Sequence, residues 1–296
     1  SANRSDASGC SGTVTRTGGA GHDTLLAAAG DDSVDGGTGT DEIRQTADAD
    51  QVLLNTSLTG DGNDTLVSIE RAELTGGGSN NTLDPSGFTL GPVTLLGLAG
   101  NDTLHGSPGN DLIDGGIGSD QVRQTVDSDQ TITDTSLSGQ GSDQLVSIEQ
   151  AILTGGAGDN DLDAGGFSAG PVTLVGAAGN DTLTGTSTSD TLDGGDDTDT
   201  GRVVFDGNLV LTNSTVVGPG NDTLVSIEQF TITGGSGNNR LDASAYTLGP
   251  VTLDGADGDD TLLGSTSDDT LLGGTGTEHI EQTDEGDKVL GEGKLA

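Results

Sequence analysis

Residues 97–123 read GLAGNDTLH, GSPGNDLID and GGIGSDQVR, three successive segments of nine residues. Each segment follows the template G-G-x-G-x-D-x-U-x, where U is a large aliphatic residue, and the aliphatic residues Leu104, Ile113 and Val122 are nine positions apart. A helix is excluded because the apolar period is too long and glycine is too frequent. The spacing leaves about three residues for a strand and about six for a turn. The stretch therefore predicts short β-strands joined by glycine-rich turns.

The pattern recurs along the chain with a period of 79 residues. The sequence GPVTL begins at Gly91, Gly170 and Gly249, and GNDTLVSIE or its variant GSDQLVSIE recurs at the same interval of 79 residues. This period defines copies at residues 45–123, 124–202 and 203–281, with partial copies at 1–44 and 282–296. Because almost nothing lies outside the repeat, a single continuous solenoid over residues 1–296 is predicted.

Aliphatic residues mark the centres of the strands expected in one copy: Leu53, Leu66, Leu74, Leu83, Leu95, Leu104, Ile113 and Val122. Two strands and two turns make one coil, so each copy supplies about four coils. At about 4.8 Å per coil, the whole chain would form a rod of roughly 70 Å. The predicted fold is all-β, a right-handed parallel β-roll or β-solenoid with two short strands per coil. Alternate turns of such a fold lie on the same edge.

Composition narrows the choice of partners. The 296 residues include 53 Gly but only four Phe, one Tyr and no Trp, so only a narrow core can be filled. The net charge of −39 excludes nucleic acid, which would be repelled. No apolar run approaches the roughly 20 residues of a membrane span. The single cysteine, Cys10, excludes an internal disulfide framework, and no segment resembles a signal peptide, so we expect another export signal or a longer parent protein.

The acidic turns have the chemistry of calcium sites. Glycines at the first, second and fourth positions allow φ > 0 and expose backbone carbonyl groups, and the aspartate at the sixth position supplies a carboxylate. Ca²⁺ takes six to eight oxygen ligands in flexible geometry, whereas Mg²⁺ demands strict octahedral geometry. Zinc is disfavoured because the histidines are isolated and have no cysteine partner. Calcium is therefore the predicted cofactor.

The strand count assigns the candidate ligands to two edges. On one edge the predicted ligands form a continuous ladder: Asp23, Asp41, Asp64, Asn81, Asp102, Asp120, Asp143, Asn160, Asp181, Asp199, Asp222, Asn239 and Asp260. On the other edge they are Asp50, Asp111, Asp129, Asp190 and Asp269, and Asp111 is expected to face the turn of Asp127 and Asp129. The glycines expected to offer carbonyl groups are Gly97, Gly100, Gly115, Gly118, Gly176, Gly179, Gly255 and Gly258.

The glutamate of the recurring SIE motif, at Glu70, Glu149 and Glu228, is the most enzyme-like feature. No histidine, serine or second acid stands at a fixed spacing that would make it part of a catalytic pair. We therefore expect a tight-turn or edge role for it, and no enzymatic activity. Asp32, which follows three alanines, and Glu278, which is one methylene longer than aspartate, are weaker ligand candidates.

The nonapeptides resemble the RTX (repeats-in-toxin) calcium-binding β-roll family, and the resemblance covers essentially the whole chain. It implies bacterial export, often in an unfolded state through a type I route, followed by folding in a calcium-rich extracellular medium. The 79-residue superrepeat is similar to those of large extracellular repeat proteins. Stacked carboxylates repel one another, so we expect the calcium-free chain to be largely unfolded.

The resemblance leaves three functions open. An all-repeat chain favours a structural or adhesive extracellular rod with a cell-surface or matrix partner. The first alternative is a calcium-folded accessory or secretion segment of an enzyme or toxin, which a hydrolase or pore domain in the gene product would reveal. The second is an ice- or glycan-binding face, for which TIT at 131–133 and 231–233 is suggestive but not continuous. Since the chain starts and stops inside the repeat, we also expect head-to-tail self-association into filaments.

Overall fold

The computed structural model describes residues 2–5, 12–218, 220–281, 286–290 and 294–295. Within these ranges the chain forms strands and turns and no helix, which confirms the predicted all-β class. None of the described residues belongs to a helix that could cross a membrane. Cys10 and much of the partial copy at 282–296 lie outside the described residues.

Most strands are short, as the nine-residue spacing predicts. In the chain's first half they are β1 (Arg4–Ser5), β2 (Thr15–Ala20), β3 (Thr24–Leu26), β4 (Ser33–Thr38), β5 (Glu42–Thr46), β6 (Gln51–Leu54), β7 (Ser57–Thr59), β8 (Asn63–Val67), β9 (Arg71–Thr75), β10 (Thr82–Gly87), β11 (Val93–Leu96), β12 (Thr103–His105), β13 (Leu112–Asp114), β14 (Gln121–Thr125), β15 (Gln130–Thr133), β16 (Ser136–Gly139) and β17 (Gly141–Val146). In the second half they are β18 (Gln150–Thr154), β19 (Asp161–Gly166), β20 (Val172–Ala178), β21 (Thr182–Thr184), β22 (Thr191–Asp196), β23 (Thr200–Val204), β24 (Leu209–Thr212), β25 (Thr215–Val217), β26 (Asn221–Val225), β27 (Gln229–Thr233), β28 (Arg240–Ala245), β29 (Val251–Asp254), β30 (Thr261–Leu263), β31 (Thr270–Leu272), β32 (His279–Glu281), β33 (Lys288–Leu290) and β34 (Lys294–Leu295).

The chain divides into two compact units, Ser1–Gln124 with Asp134–Ile152 and Thr125–Thr133 with Leu153–Ala296. In the first unit, one sheet has the strand order β1-β3-β5-β9-β11-β13-β17-β16. The other has the order β2-β4-β8-β7-β6-β10-β12-β14. Neighbouring strands are parallel except in the meander β6–β7–β8 and in the pair β16–β17.

The second unit is built in the same way. One sheet runs β15-β19-β21-β23-β27-β29-β31-β33, with every pair parallel. The other runs β20-β22-β26-β25-β24-β28-β30-β32-β34 and contains the antiparallel meander β24–β25–β26. Apart from the meanders, the strands follow the parallel arrangement of a β-roll.

In-register aliphatic residues form a narrow core between the sheets. Leu95 of β11 pairs with Leu74 of β9 and with Ile113 of β13, and all three side chains are fully buried. Their neighbours along each strand point outward because side chains alternate between the two faces of a strand. Burying one aliphatic side chain per strand explains how a chain so poor in aromatic residues can fold.

Equivalent strands one repeat apart lie in different sheets. In the first unit β8 pairs with β4, whereas its equivalent β17 pairs with β13 in the opposite sheet. The meander is the cause, since β6, β7 and β8 stay in one sheet while the chain elsewhere alternates between sheets. The chain therefore crosses between sheets an odd number of times per repeat. The eight alternating strands predicted for a copy omitted β7, and this omission changes the edge on which several of the predicted ligands lie.

Candidate metal sites

Acidic residues in successive turns are linked by backbone hydrogen bonds. The backbone N–H of Asn81 donates to Oδ1 of Asp102 (2.7 Å), that of Asp102 to Oδ1 of Asp120 (2.7 Å), and that of Asp120 to Oε2 of Glu149 (2.8 Å). These residues are termed a long carboxylate series. Equivalent long series are Asn3–Asp23–Asp41–Glu70 in the first unit, and Asn160–Asp181–Asp199–Glu228 and Asn239–Asp260 in the second.

A second arrangement is shorter. The N–H of Val93 donates to Oδ1 of Asp111 (2.8 Å), and the N–H of Asp111 donates to Oδ1 of Asp143 (2.9 Å). These residues are termed a short carboxylate series. Its equivalents are Val14–Asp32–Asp64, Val172–Asp190–Asp222 and Val251–Asp269–Asp287.

The two kinds of series correct the predicted edges. Asp102 and Asp120 are neighbours in one series, as predicted, and Asp111 lies in another. However, Asp111 was expected to face the turn of Asp127 and Asp129, and its N–H instead donates to Asp143. Asp64, Asp143 and Asp222, predicted on the ladder of Asp102, belong to the short series. In the first unit, Asp23, Asp41 and Asp143 stand at strands of the sheet opposite to that of β12, which follows Asp102, whereas Asp64 stands at a strand of the same sheet as β12. The ladder is therefore interrupted at each meander, where no sheet crossing occurs.

The aspartates of the long series carry an oxygen that the protein leaves unsatisfied. Oδ2 of Asp102 and Oδ2 of Asp120 are both buried and accept no hydrogen bond. The same is true of Oδ2 in Asp23, Asp41, Asp181, Asp199 and Asp260 of the long series, and of Oδ2 in Asp64 and Asp143 of the short series. A buried carboxylate oxygen without a partner costs free energy, so these oxygens require a cation or a proton.

Glycine keeps the space around these oxygens open. A Cβ on Gly97 would lie less than 3.0 Å from both Oδ2 of Asp102 and the carbonyl oxygen of Gly115 in the next turn. Carboxylate and carbonyl oxygens thus approach each other beside a residue that has no side chain, and any larger residue would fill the space between them. Gly176 and Gly255 have the same surroundings, and a Cβ on Gly115 would likewise meet Asp120 and the carbonyl oxygen of Ser147. The glycines at the fourth position of these turns all have positive φ: Gly100, Gly118, Gly179 and Gly258.

Burial changes the acidity of these carboxyl groups. Desolvation raises the pKa of Asp143 to about 7 and those of Asp64, Asp199 and Asp222 to about 6. It also raises the pKa values of Asp102, Asp120, Asp181 and Asp260. The charged forms are disfavoured because they are withdrawn from water, so a bound cation would lower these pKa values.

These residues fit a hard cation. Within the described residues, no three side chains of Asp, Glu, His or Cys converge at one point. The available ligands are instead one carboxylate oxygen per turn and backbone carbonyl groups, all of them oxygen, which suits Ca²⁺. Asp102, Asp120 and the carbonyl group of Gly115 would hold such an ion, which would supply the missing positive charge.

Other predicted ligands are already engaged by the protein. Oδ2 of Asp111 accepts hydrogen bonds from the N–H and from the hydroxyl of Ser107, both at 2.8 Å. The carboxylates of Asp190 and Asp269 are engaged in the same way by Thr186 and Ser265. Oδ1 of Asn81, Asn160 and Asn239 accepts the N–H of Gly77, Gly156 and Gly235, each at 2.8 Å.

Asp50 and Asp129 occupy another position. Oδ1 of Asp50 accepts the N–H of Thr82 at 2.8 Å, and Oδ1 of Asp129 accepts the N–H of Asp161 at 2.9 Å. Asp48, which the sequence analysis did not single out, accepts the N–H of Ser79 at 3.0 Å, and these backbone bonds lower its pKa. Asp48 and Asp50 therefore hold the backbone on either side of Asn81, the first residue of a long series.

The glutamates of the SIE motif end the long series. Glu149 accepts the N–H of Asp120, and Glu70 and Glu228 make the equivalent contacts at 2.9 and 3.0 Å. Such contacts correspond to the turn or edge role expected for them. Arg16 and the Ser107 hydroxyl were not predicted from the sequence, although Ser or Thr stands four residues before Asp at residues 107, 186 and 265.

Stacked turns with buried, unsatisfied carboxylates on a largely parallel all-β fold define a calcium-binding repeat domain. Residues 17–51, 94–122, 173–200, 231–245 and 252–280 match the family model of the RTX calcium-binding nonapeptide repeat. The chain therefore carries RTX calcium-binding repeats, as the resemblance of residues 97–123 suggested. A comparison with curated proteins found no match.

Proposed function

We propose that this chain is a structural or adhesive segment of a bacterial extracellular protein, and that binding of Ca²⁺ drives its folding. The observation that carries the proposal is the stacking of unsatisfied carboxylates in the long series, as at Asp102 and Asp120. RTX repeats support the choice of calcium and an extracellular location. The proposed role is non-catalytic, because repeats account for almost the whole sequence.

Electrostatic repulsion makes the ion a condition for folding. Adjacent turns are about 4.8 Å apart, and two unit charges at that distance repel by about 3 kcal/mol at an effective dielectric constant of 20. Repeated along several turns, this repulsion reaches the order of 5–15 kcal/mol that stabilises a typical domain. An ion that binds only the folded form and neutralises these charges would reverse the balance.

Circular dichroism tests calcium-driven folding. The protein freed of divalent ions at pH 7.5 should lack most of its β-sheet signal and gain it when millimolar Ca²⁺ is added. Equimolar Mg²⁺ should restore less of the signal, since Mg²⁺ dehydrates reluctantly and requires strict octahedral geometry. A full β-sheet signal without divalent ions would refute the proposal.

The finer parts of the proposal need separate measurements. A structural or adhesive role predicts binding of the calcium-loaded protein to a bacterial cell surface or its matrix, and loss of that binding in chelator.

Head-to-tail association predicts light-scattering masses that are multiples of the 29.2 kDa monomer at high protein and calcium concentrations. A strictly monomeric mass under those conditions would contradict association without affecting the calcium proposal.

A further inference from the structure

We propose that calcium enters only some of the acidic turns, and that the others are closed by hydrogen bonds or by a built-in cation. The inference rests on the proposed calcium-driven folding and divides the turns into two classes. In open turns, the residue four positions before the acidic one has positive φ. In closed turns, the N–H of that residue donates to the acidic or amide side chain.

Asp102 and Asp111 illustrate the two classes nine residues apart. Leu98, four residues before Asp102, has φ of 75°, and Oδ2 of Asp102 is left without a donor. Ser107, four residues before Asp111, donates both its N–H and its hydroxyl to Oδ2 of Asp111. Together with the N–H of Val93, three donors surround the buried Asp111 carboxylate. A carboxylate has about four acceptor positions, so little capacity is left for an ion.

The same conformational rule separates further turns into the two classes, whereas the turn of Asp222 fits neither class, because Gly218 does not have positive φ and Asp222 has no unsatisfied buried oxygen. Open turns have positive φ at Gly19, Gly37, Gly60, Leu98, Gly116, Gly139, Ala177, Gly195, Ala256 and Gly274. Closed turns have the N–H donors Ala28, Gly77, Ser107, Gly156, Thr186, Gly235 and Ser265. Every carboxylate of an open turn keeps at least one buried oxygen without a partner, and no acidic side chain of a closed turn does.

The turn at Asp32 is closed by a cation of the protein itself. Ala28 has no hydroxyl to donate, and its N–H lies 3.3 Å from Oδ2 of Asp32. The guanidinium of Arg16 pairs with the same oxygen at 3.3 Å, and both side chains are almost completely buried. Arg16 occupies the position of the buried Leu95 one repeat later. A core leucine is thus replaced by a positive charge in the described short series whose first aspartate, Asp32, has no hydroxyl four residues before it.

Two matched triple variants distinguish the classes. The closed-turn variant combines Asp111→Asn, Asp190→Asn and Asp269→Asn. The open-turn variant combines Asp102→Asn, Asp181→Asn and Asp260→Asn, and it changes the net charge by the same amount. Calcium stoichiometry is measured by equilibrium dialysis at saturating Ca²⁺. The closed-turn variant should bind as many ions as the unaltered protein, and the open-turn variant should lose on the order of one ion per substituted carboxylate. Equal losses in both variants would overturn the inference.

A crystal of the unaltered protein grown in Ca²⁺ decides the question even if a variant fails to fold. Anomalous scattering should place ions beside Oδ2 of Asp102 and Asp120, and none beside Asp111 or Asp32. An ion bound to Asp111 or Asp32 would overturn the two-class inference and leave the proposed function intact. Absence of calcium binding by the unaltered protein would instead refute the proposed function.

Discussion

A single arginine shows how one residue can replace a metal ion. The buried pair of Arg16 and Asp32 leaves Nε and Nη1 of the guanidinium without partners, so the arginine is itself imperfectly satisfied. Removing it would leave the Asp32 charge buried and uncompensated. We predict that Arg16→Leu lowers the free energy of unfolding by about 3–5 kcal/mol in saturating calcium. Urea denaturation followed by circular dichroism measures the change.

Two further variants test this explanation. Arg44→Leu removes an exposed arginine that pairs with Glu42 and Glu73, and should cost less than about 1 kcal/mol because water screens those pairs. Adding Ala28→Ser to Arg16→Leu recreates the arrangement of Leu95, Ser107 and Asp111, and should recover much of the lost stability. If Arg16→Leu costs no more than Arg44→Leu, Arg16 does not serve as a counter-charge.

The open or closed state of a turn was only partly readable from the sequence. Serine or threonine four residues before aspartate marks a closed turn, and glycine at that position allows an open one. Leu98, Ala177 and Ala256, however, have φ of 75°, 84° and 68°, a left-handed conformation that such side chains rarely adopt. The sequence of the turn itself does not reveal this conformation, because neither leucine nor alanine favours positive φ.

Among the strands, β7 is one that the sequence did not predict, and it accounts for the main difference between the predicted fold and the observed one. Nine-residue spacing predicted most strands because each contributes one fully buried aliphatic residue, such as Leu104 or Ile113. The interval of 13 positions from Leu53 to Leu66 exceeds that spacing and accommodates an additional strand centred on the buried Leu58. The meander that results has antiparallel pairs, which the parallel template excludes. Because of this missed strand of three residues, β9 lies in the sheet opposite to that of β6, whereas strict alternation would place both in the same sheet.

Leu58 should therefore contribute as much as the predicted core residues. We predict that Leu58→Ala lowers the free energy of unfolding by about 2–5 kcal/mol in saturating calcium, because it leaves a cavity between the sheets. Leu54→Ala, the same change at a side chain that is 44% exposed, should stay within about 0.5 kcal/mol of the unaltered protein. Similar urea midpoints for the two variants would show that β7 does not pack against the core.

Across the whole molecule, raised pKa values make protons competitors of calcium. Desolvation raises the pKa of Asp143 to about 7 and those of Asp64, Asp199 and Asp222 to about 6, against about 3.9 in an unfolded chain. The folded form therefore binds protons more tightly than the unfolded form. Without calcium, its stability rises as pH falls from above 7 towards 4, and is lost as pH rises through these folded-state pKa values.

Acid should consequently replace part of the effect of calcium. In protein freed of divalent ions, we predict a stronger β-sheet signal by circular dichroism at pH 5 than at pH 8. The calcium concentration at half-saturation should change in the opposite sense and be higher at pH 5.5 than at pH 8, because binding must displace protons. Asp143→Asn removes the group with the highest of these four pKa values and should reduce both pH dependences. A calcium affinity independent of pH would show that the buried carboxylates are not the ligands.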